Sequence, residues 1–96
     1  MIVAFASESL TVSTTSVSLS ATVYQPAGAV PARQAFITIE TNSIRYVLDG
    51  ATPSPSNAIL VGTSTSIRLS NLSDIGDFRA VRGSAPDAVI RVTYFR

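Results

Sequence analysis

The stretch DAVIRVTYF, from Asp87 to Phe95, decides the fold class. Its residues alternate between two faces, with Ala88, Ile90, Val92 and Tyr94 on one and Val89, Arg91, Thr93 and Phe95 on the other. A period of two is typical of a β-strand. Because both faces carry apolar groups, the pattern predicts a central strand, or one that meets a second sheet or a partner.

The same period recurs along the chain. SVSLSATVY, from Ser16 to Tyr24, alternates serine or threonine with apolar residues and predicts a half-buried antiparallel strand. RGSAPDA, from Arg82 to Ala88, predicts a hairpin with Gly83 at a positive φ. Other short runs are rich in β-branched or aromatic residues: Gln34 to Thr41, Ile44 to Leu48, Asn57 to Val61, Ser66 to Ser70, Asp77 to Arg82, and one strand or two within Ile2 to Val12.

Evidence for helix is poor, because no long window spaces its apolar residues by three and four. One helical turn is expected in NLSDIGDF, from Asn71 to Phe78, with Ser73 or Asp74 as its cap. The sequence therefore predicts an all-β fold of seven or eight short strands with little or no helix. Its architecture is an antiparallel β-sandwich or a small jelly-roll-like barrel.

The composition bounds the domain and its partners. A chain of 96 residues forms a single domain, 1–96. Seven basic and six acidic residues leave a net charge of +1, which argues against nucleic acid as a partner. No apolar run is long enough to span a membrane, so no membrane partner is expected. The low charged fraction of 14% predicts that part of the surface is buried against neighbouring proteins.

The sequence offers little catalytic chemistry. It has no histidine, no cysteine and no lysine, which removes most metal sites and the common nucleophile-and-base pairs. Paired carboxylates remain, but a glycosidase cleft also needs aromatic residues, and the chain has no tryptophan. The acidic residues of NLSDIGDF do not follow the spacing of a calcium loop. We therefore expect no enzyme, no catalytic or metal-binding residues and no cofactor.

A second stretch, SIRYVLDGATPSPSN from Ser43 to Asn57, predicts a strand that runs into a stiff loop. Asp49 and Gly50 end the strand, because Gly50 adopts a positive φ readily and Asp49 can bond its own backbone. Two prolines then restrict the loop to few conformations. We predict a contact loop whose key residues are Asp49, Gly50, Pro53, Pro55 and Asn57.

This stretch also carries a family resemblance. It resembles small proteins of about a hundred residues encoded in the structural gene blocks of tailed bacteriophages and prophages, which share a strand of the pattern I-R-(F/Y)-x-L-D-G, then a proline and a polar loop. The matching residues are Ile44, Arg45, Tyr46, Leu48, Asp49, Gly50 and Pro53. The similarity runs from about Ala35 to the C-terminus and includes NLSDIGDFRAVR and VTYF. Such proteins place a glycine after the proline, and here Asn57 is expected to take that positive-φ role.

The resemblance implies a virion structural protein that is made in the bacterial host's cytoplasm. We expect it to decorate or cement the capsid by bridging subunits of the major capsid protein or other virion proteins, and to form a homo-oligomer, a trimer. The candidate inter-subunit contacts are Arg45, Arg68, Arg79 and Arg91. Residues 1–30 match no part of the family and are expected to form an extended arm or an added strand that reaches a neighbouring subunit.

Two other functions stay open. One is the alternative role within the virion, a tail, baseplate or connector component. The other is a carbohydrate-binding β-sandwich module, which stacks sugars on exposed aromatic rings. The seven aromatic residues all lie in strand-like runs, a position more typical of a core or an interface than of a sugar platform.

Overall fold

A computed structural model describes residues 3–96, and Met1 and Ile2, the start of the predicted arm and of the Ile2 to Val12 stretch, lie outside the described residues. Within that range seven strands form two antiparallel sheets. The elements are β1 (Ala4–Val12), α1 (Ala21–Tyr24), β2 (Gln34–Thr41), β3 (Ile44–Val47), β4 (Ile59–Val61), β5 (Ser66–Leu69), α2 (Leu72–Asp77), β6 (Arg79–Arg82) and β7 (Ala88–Phe95).

One sheet has the order β1-β7-β2-β5 and the other β4-β3-β6. Both contribute to a single buried core, which joins Ile37 and Ile90 of the first sheet to Ile44 and Ala80 of the second. The arrangement is a small antiparallel sandwich, so the predicted all-β class is confirmed.

The strand β7 lies at the centre of the four-stranded sheet, as its two apolar faces predict. It pairs with β1 on one side and β2 on the other. Ala88, Ile90, Val92 and Tyr94 are at most 1% exposed and face the core. The opposite row is half-buried or exposed and forms the outer face of the sheet.

The prediction of a strand from Ser16 to Tyr24 is wrong. Only Val17 makes an isolated bridge, to Ala80 of β6, and the segment ends in the single turn of α1. The reason is a side chain distant in sequence: Glu8 of β1 accepts hydrogen bonds from the backbone N–H and the Oγ of Ser20, at 3.1 and 2.6 Å. These bonds hold the chain where it crosses between the sheets, because a partly buried carboxylate is stabilised by hydrogen-bond donors.

Two local predictions are also corrected. The segment after Gly83 is not a hairpin, since β6 and β7 belong to different sheets, and Gly83 is not among the residues with positive φ. The glycine is required for space instead: a Cβ there would lie 2.4 Å from the Oγ of Ser43 and 2.8 Å from the Cδ1 of Leu60. The cap of α2 is Asn71, whose Oδ1 accepts the N–H of Asp74 at 2.8 Å.

Replacing Gly83 by alanine should destabilise the protein. The added methyl group forces the Ser43 side chain and the exposed end of Leu60 to move, a change that costs about 1 kcal/mol, the low end for overpacking. Gly62→Ala is the matched control, because a Cβ at that position meets no atom within 4 Å. Urea denaturation should show a lower free energy of unfolding for Gly83→Ala only; equal values for the two variants would contradict the steric explanation.

Stability should also fall at alkaline pH because of Tyr94. Burial, and then the hydrogen bond and negative charge of Glu8, raise the pKa of Tyr94 well above its ordinary value. The unfolded chain loses the hydroxyl proton of Tyr94 near pH ~10, while the folded chain keeps it. The free energy of unfolding therefore decreases as the pH rises above ~10, by up to about 1.4 kcal/mol per pH unit. Denaturation midpoints above pH ~10 should decline less steeply for Tyr94→Phe than for the unsubstituted chain; parallel declines would contradict this assignment.

Candidate interaction surface

The strands β3 and β4 form a hairpin whose outer face carries Arg45. Arg45 lies opposite Leu60 of β4 and Val81 of β6, and residues directly opposite in a sheet share a face. The neighbouring Ile44 is fully buried in the core, so Arg45 points away from the core. Arg45 is half-buried, and among residues 3–96 it has no hydrogen-bond or ion-pair partner.

Exposed aliphatic side chains lie along this edge of the sheet, on both of its faces. Leu48, Ile59 and Leu60 are 36%, 55% and 52% exposed, and all three lie at the edge strand β4 or at the end of β3 that leads to it. Leu60 shares the face of Arg45, whereas Ile59 is opposite Tyr46 and lies on the other face. We call Arg45 with these three residues the hairpin surface. A neutral aliphatic edge of a sheet is costly to leave in water and is typical of a protein contact.

The loop between the two strands is held in one shape. Gly50 has the predicted positive φ, 78°, and its N–H donates to the carbonyl of Asp77 at 2.9 Å. Asp49 accepts the N–H of Ala51 at 3.1 Å, which closes the predicted turn. Pro53 is buried and packs the loop against the body of the protein, while Pro55 is exposed.

Asn57 organises the loop in a way that the sequence does not reveal. It is not among the residues with positive φ, so the expectation that it replaces a glycine is wrong. Its Oδ1 instead accepts the N–H of Ser54 at 2.7 Å and the Oγ of Ser54 at 3.0 Å, and its Nδ2 donates to the carbonyl of Thr52 at 3.2 Å. The side chain thus bridges both sides of the loop.

The other three arginines proposed as contacts have partners within the chain. Arg79 donates to the carbonyls of Gly76 and Phe78 at the end of α2. Arg68 bonds Gln34 at 3.0 Å and lies over the ring of Phe36, and Arg91 pairs with Glu40 at 2.5 Å. The four side chains therefore do not form one cluster, and Arg45 differs from the others in its free guanidinium.

The aromatic residues do not form an exposed platform in the described part of the chain. Tyr24, Phe78 and Tyr94 are buried, and the rings of Phe5 and Phe36 each lie against a guanidinium group. Across residues 3–96 no group of three or more acidic, histidine or cysteine side chains is placed to hold a metal ion. Nor does any helix in that range have the length and apolar character needed to cross a membrane.

Comparison with known proteins adds no relative: no protein-family model, no curated protein and no solved structure matches the chain.

Removing the Asn57 side chain should loosen the loop. In Asn57→Ala the N–H of Ser54 loses its acceptor, so this amide should exchange with solvent at least about tenfold faster. Asn57→Asp is the matched variant, because it keeps the acceptor oxygen and loses only the bond to Thr52. Amide exchange measured by NMR should separate the two variants; equal rates at Ser54 would show that the side chain does not hold the loop.

Proposed function

We propose that this chain is a structural protein of a tailed-phage virion that decorates or cements the capsid. In this role it binds the outside of the shell and bridges subunits of the major capsid protein. It acts mechanically, because each copy that binds only the assembled shell stabilises that shell by mass action. It contains no catalytic step. The protein is made in the host cytoplasm and ends in the virion.

The observation that carries the proposal is the hairpin surface. The residues that resemble the phage proteins, from Ile44 to Gly50 and Pro53, form β3 and the first part of the loop, and they lie beside exposed Ile59 and Leu60. A rigid loop loses little entropy on binding, which favours affinity per contact. The part of the chain that suggests the family is therefore also the part whose surface is suited to a protein partner.

Arg45 supplies the polar component of the contact. A guanidinium between Leu60 and Val81 is partly desolvated before binding and offers several donors in a plane. Arginines in such apolar surroundings frequently dominate the energy of an interface. The group that best complements it is a carboxylate on the capsid protein, which can accept two parallel hydrogen bonds.

Binding to shells tests the proposal directly. The purified chain should co-sediment with shells assembled from the major capsid protein of the phage or prophage that encodes it, and Arg45→Gln should weaken this binding by about 10- to 100-fold. Arg68→Gln is the matched control, because Arg68 lies on the other sheet and bonds Gln34. Absence of binding, or equal losses in the two variants, would contradict the proposed contact.

Copy number distinguishes the decoration role from the alternatives within the virion. Quantitative mass spectrometry of purified particles should find the chain at a number comparable to that of the major capsid protein. A few copies per particle would indicate a tail, baseplate or connector component instead. Binding of simple sugars by the isolated chain would support the carbohydrate module.

A further inference from the structure

The outer edge of β1 is the longest open sheet edge in residues 3–96. β1 has nine residues, whereas the other edge strands, β4, β5 and β6, have three or four. The edge of β6 is partly covered, because Val17 and Ala80 exchange two backbone hydrogen bonds. Within the described range no loop donates or accepts a backbone bond along Ala4–Val12, so this edge has unpaired N–H and C=O groups.

The hydrogen-bond pattern identifies the residues that carry these groups. In an antiparallel pair, residues that exchange backbone bonds alternate with residues that do not. Val3 and Arg96 exchange two backbone hydrogen bonds of 2.9 Å. Every second residue of β7 before Arg96, beginning with Tyr94 and Val92, therefore forms its backbone hydrogen bonds with β1. The intervening residues bond β2, and the N–H of Val89 indeed donates to Thr41 there.

Three residues of β1 lie opposite those intervening positions of β7: Ser7 opposite Thr93, Ser9 opposite Arg91 and Thr11 opposite Val89. Their backbone groups are therefore not bonded to β7. Their backbone groups point away from β7, along the open edge.

The part of this edge from Ser7 to Thr11 has neither a proline nor an outward charge. Natural proteins block edges with such residues or with β-bulges, and the register shift of β1 lies between Ala4 and Ala6, before this part. Glu8 is the one charged residue of β1. The Glu8 carboxylate is turned inward, where it accepts hydrogen bonds from Ser20 and from the hydroxyl of Tyr94. The three outward residues are small, neutral and β-compatible.

We propose that a second copy of the chain pairs with this edge, antiparallel, about a two-fold axis at Ser9. In that register Ser9 faces its own counterpart and Ser7 faces Thr11, so every open residue meets another open residue. Each such pair exchanges two backbone bonds, for about six in all. The two four-stranded sheets become one continuous sheet of eight strands.

Charge and the positions of the open residues select this register over its neighbours. An axis at Leu10 leaves Ser7 facing Ser13, whose carbonyl already accepts the N–H of Arg82. An axis at Glu8 places the two carboxylates directly opposite each other, which is unfavourable, and leaves Thr11 facing Phe5. An axis at Ser7 leaves Thr11 without an open partner. With the axis at Ser9, Glu8 lies opposite Leu10. A two-fold contact of this kind is closed and generates a dimer rather than the trimer that the sequence predicts.

Cysteine cross-linking tests the register, because the chain has no cysteine of its own. Opposite Cα atoms of a hydrogen-bonded pair lie about 5.5 Å apart, within the range of a disulfide. Ser9→Cys should therefore oxidise to a covalent dimer. Ser7→Cys is the matched control. In the dimer the two copies of residue 7 are about 13 Å apart along the strands, so their sulfurs should not form a disulfide. A mixture of Ser7→Cys and Thr11→Cys should cross-link as a heterodimer.

Sedimentation equilibrium tests the assembly without a covalent bond. The unmodified chain, of 10.1 kDa, should sediment with twice its monomer mass. Ser9→Pro removes an outward N–H without removing a bond to β7 and should raise the dimer dissociation constant at least about tenfold, while Ser9→Ala should not. Circular dichroism confirms that each variant is folded. A monomeric or trimeric mass of the unmodified chain, or cross-linking of Ser7→Cys as fast as Ser9→Cys, would overturn the proposal.

Discussion

The position of β7 between β1 and β2 is the constraint on which the rest of the structure depends. Its backbone bonds two strands, and its row of Ala88, Ile90, Val92 and Tyr94 supplies one wall of the core. A shift of one residue in either pairing would turn that row toward solvent. The register of the whole four-stranded sheet, the inward direction of Glu8 and the outward direction of the open β1 edge all follow from this one packing arrangement.

The sequence predicts those strands in which the alternation of apolar and polar residues matches the buried and exposed faces. β2 and β7 have the expected bounds to within a residue, since each buries one alternating row. The segment from Ser16 to Tyr24 has an equally regular pattern but does not form a strand, because the contact of Ser20 with Glu8 decides its path. Such contacts join residues distant in sequence, and periodicity contains no information about them. The contacts that restrict the space at Gly83 also come from residues distant in sequence, Ser43 and Leu60.

The loop of the hairpin surface could be predicted from the sequence, because its turn depends on neighbouring residues alone. The turn at Asp49 and Gly50 is a local property of those residues and is found as expected. Which arginine is free is not a local property: Arg68 and Arg91 find partners on neighbouring strands, while Arg45 faces outward between aliphatic neighbours. The two proposed contacts use separate sheets, since the hairpin surface belongs to the three-stranded sheet and the open edge to the four-stranded one. One copy can therefore engage a shell and a second copy at once.

The most direct test of the proposed capsid contact is to measure amide hydrogen exchange of the chain, free and bound to assembled capsid shells. If the hairpin surface is the contact, amides from Leu48 to Val61 should become protected on the shell, and those of β5, at the far edge of the other sheet, should exchange as in the free protein. Protection confined to β5 and the outer face of the four-stranded sheet, with none in the hairpin, would contradict the account.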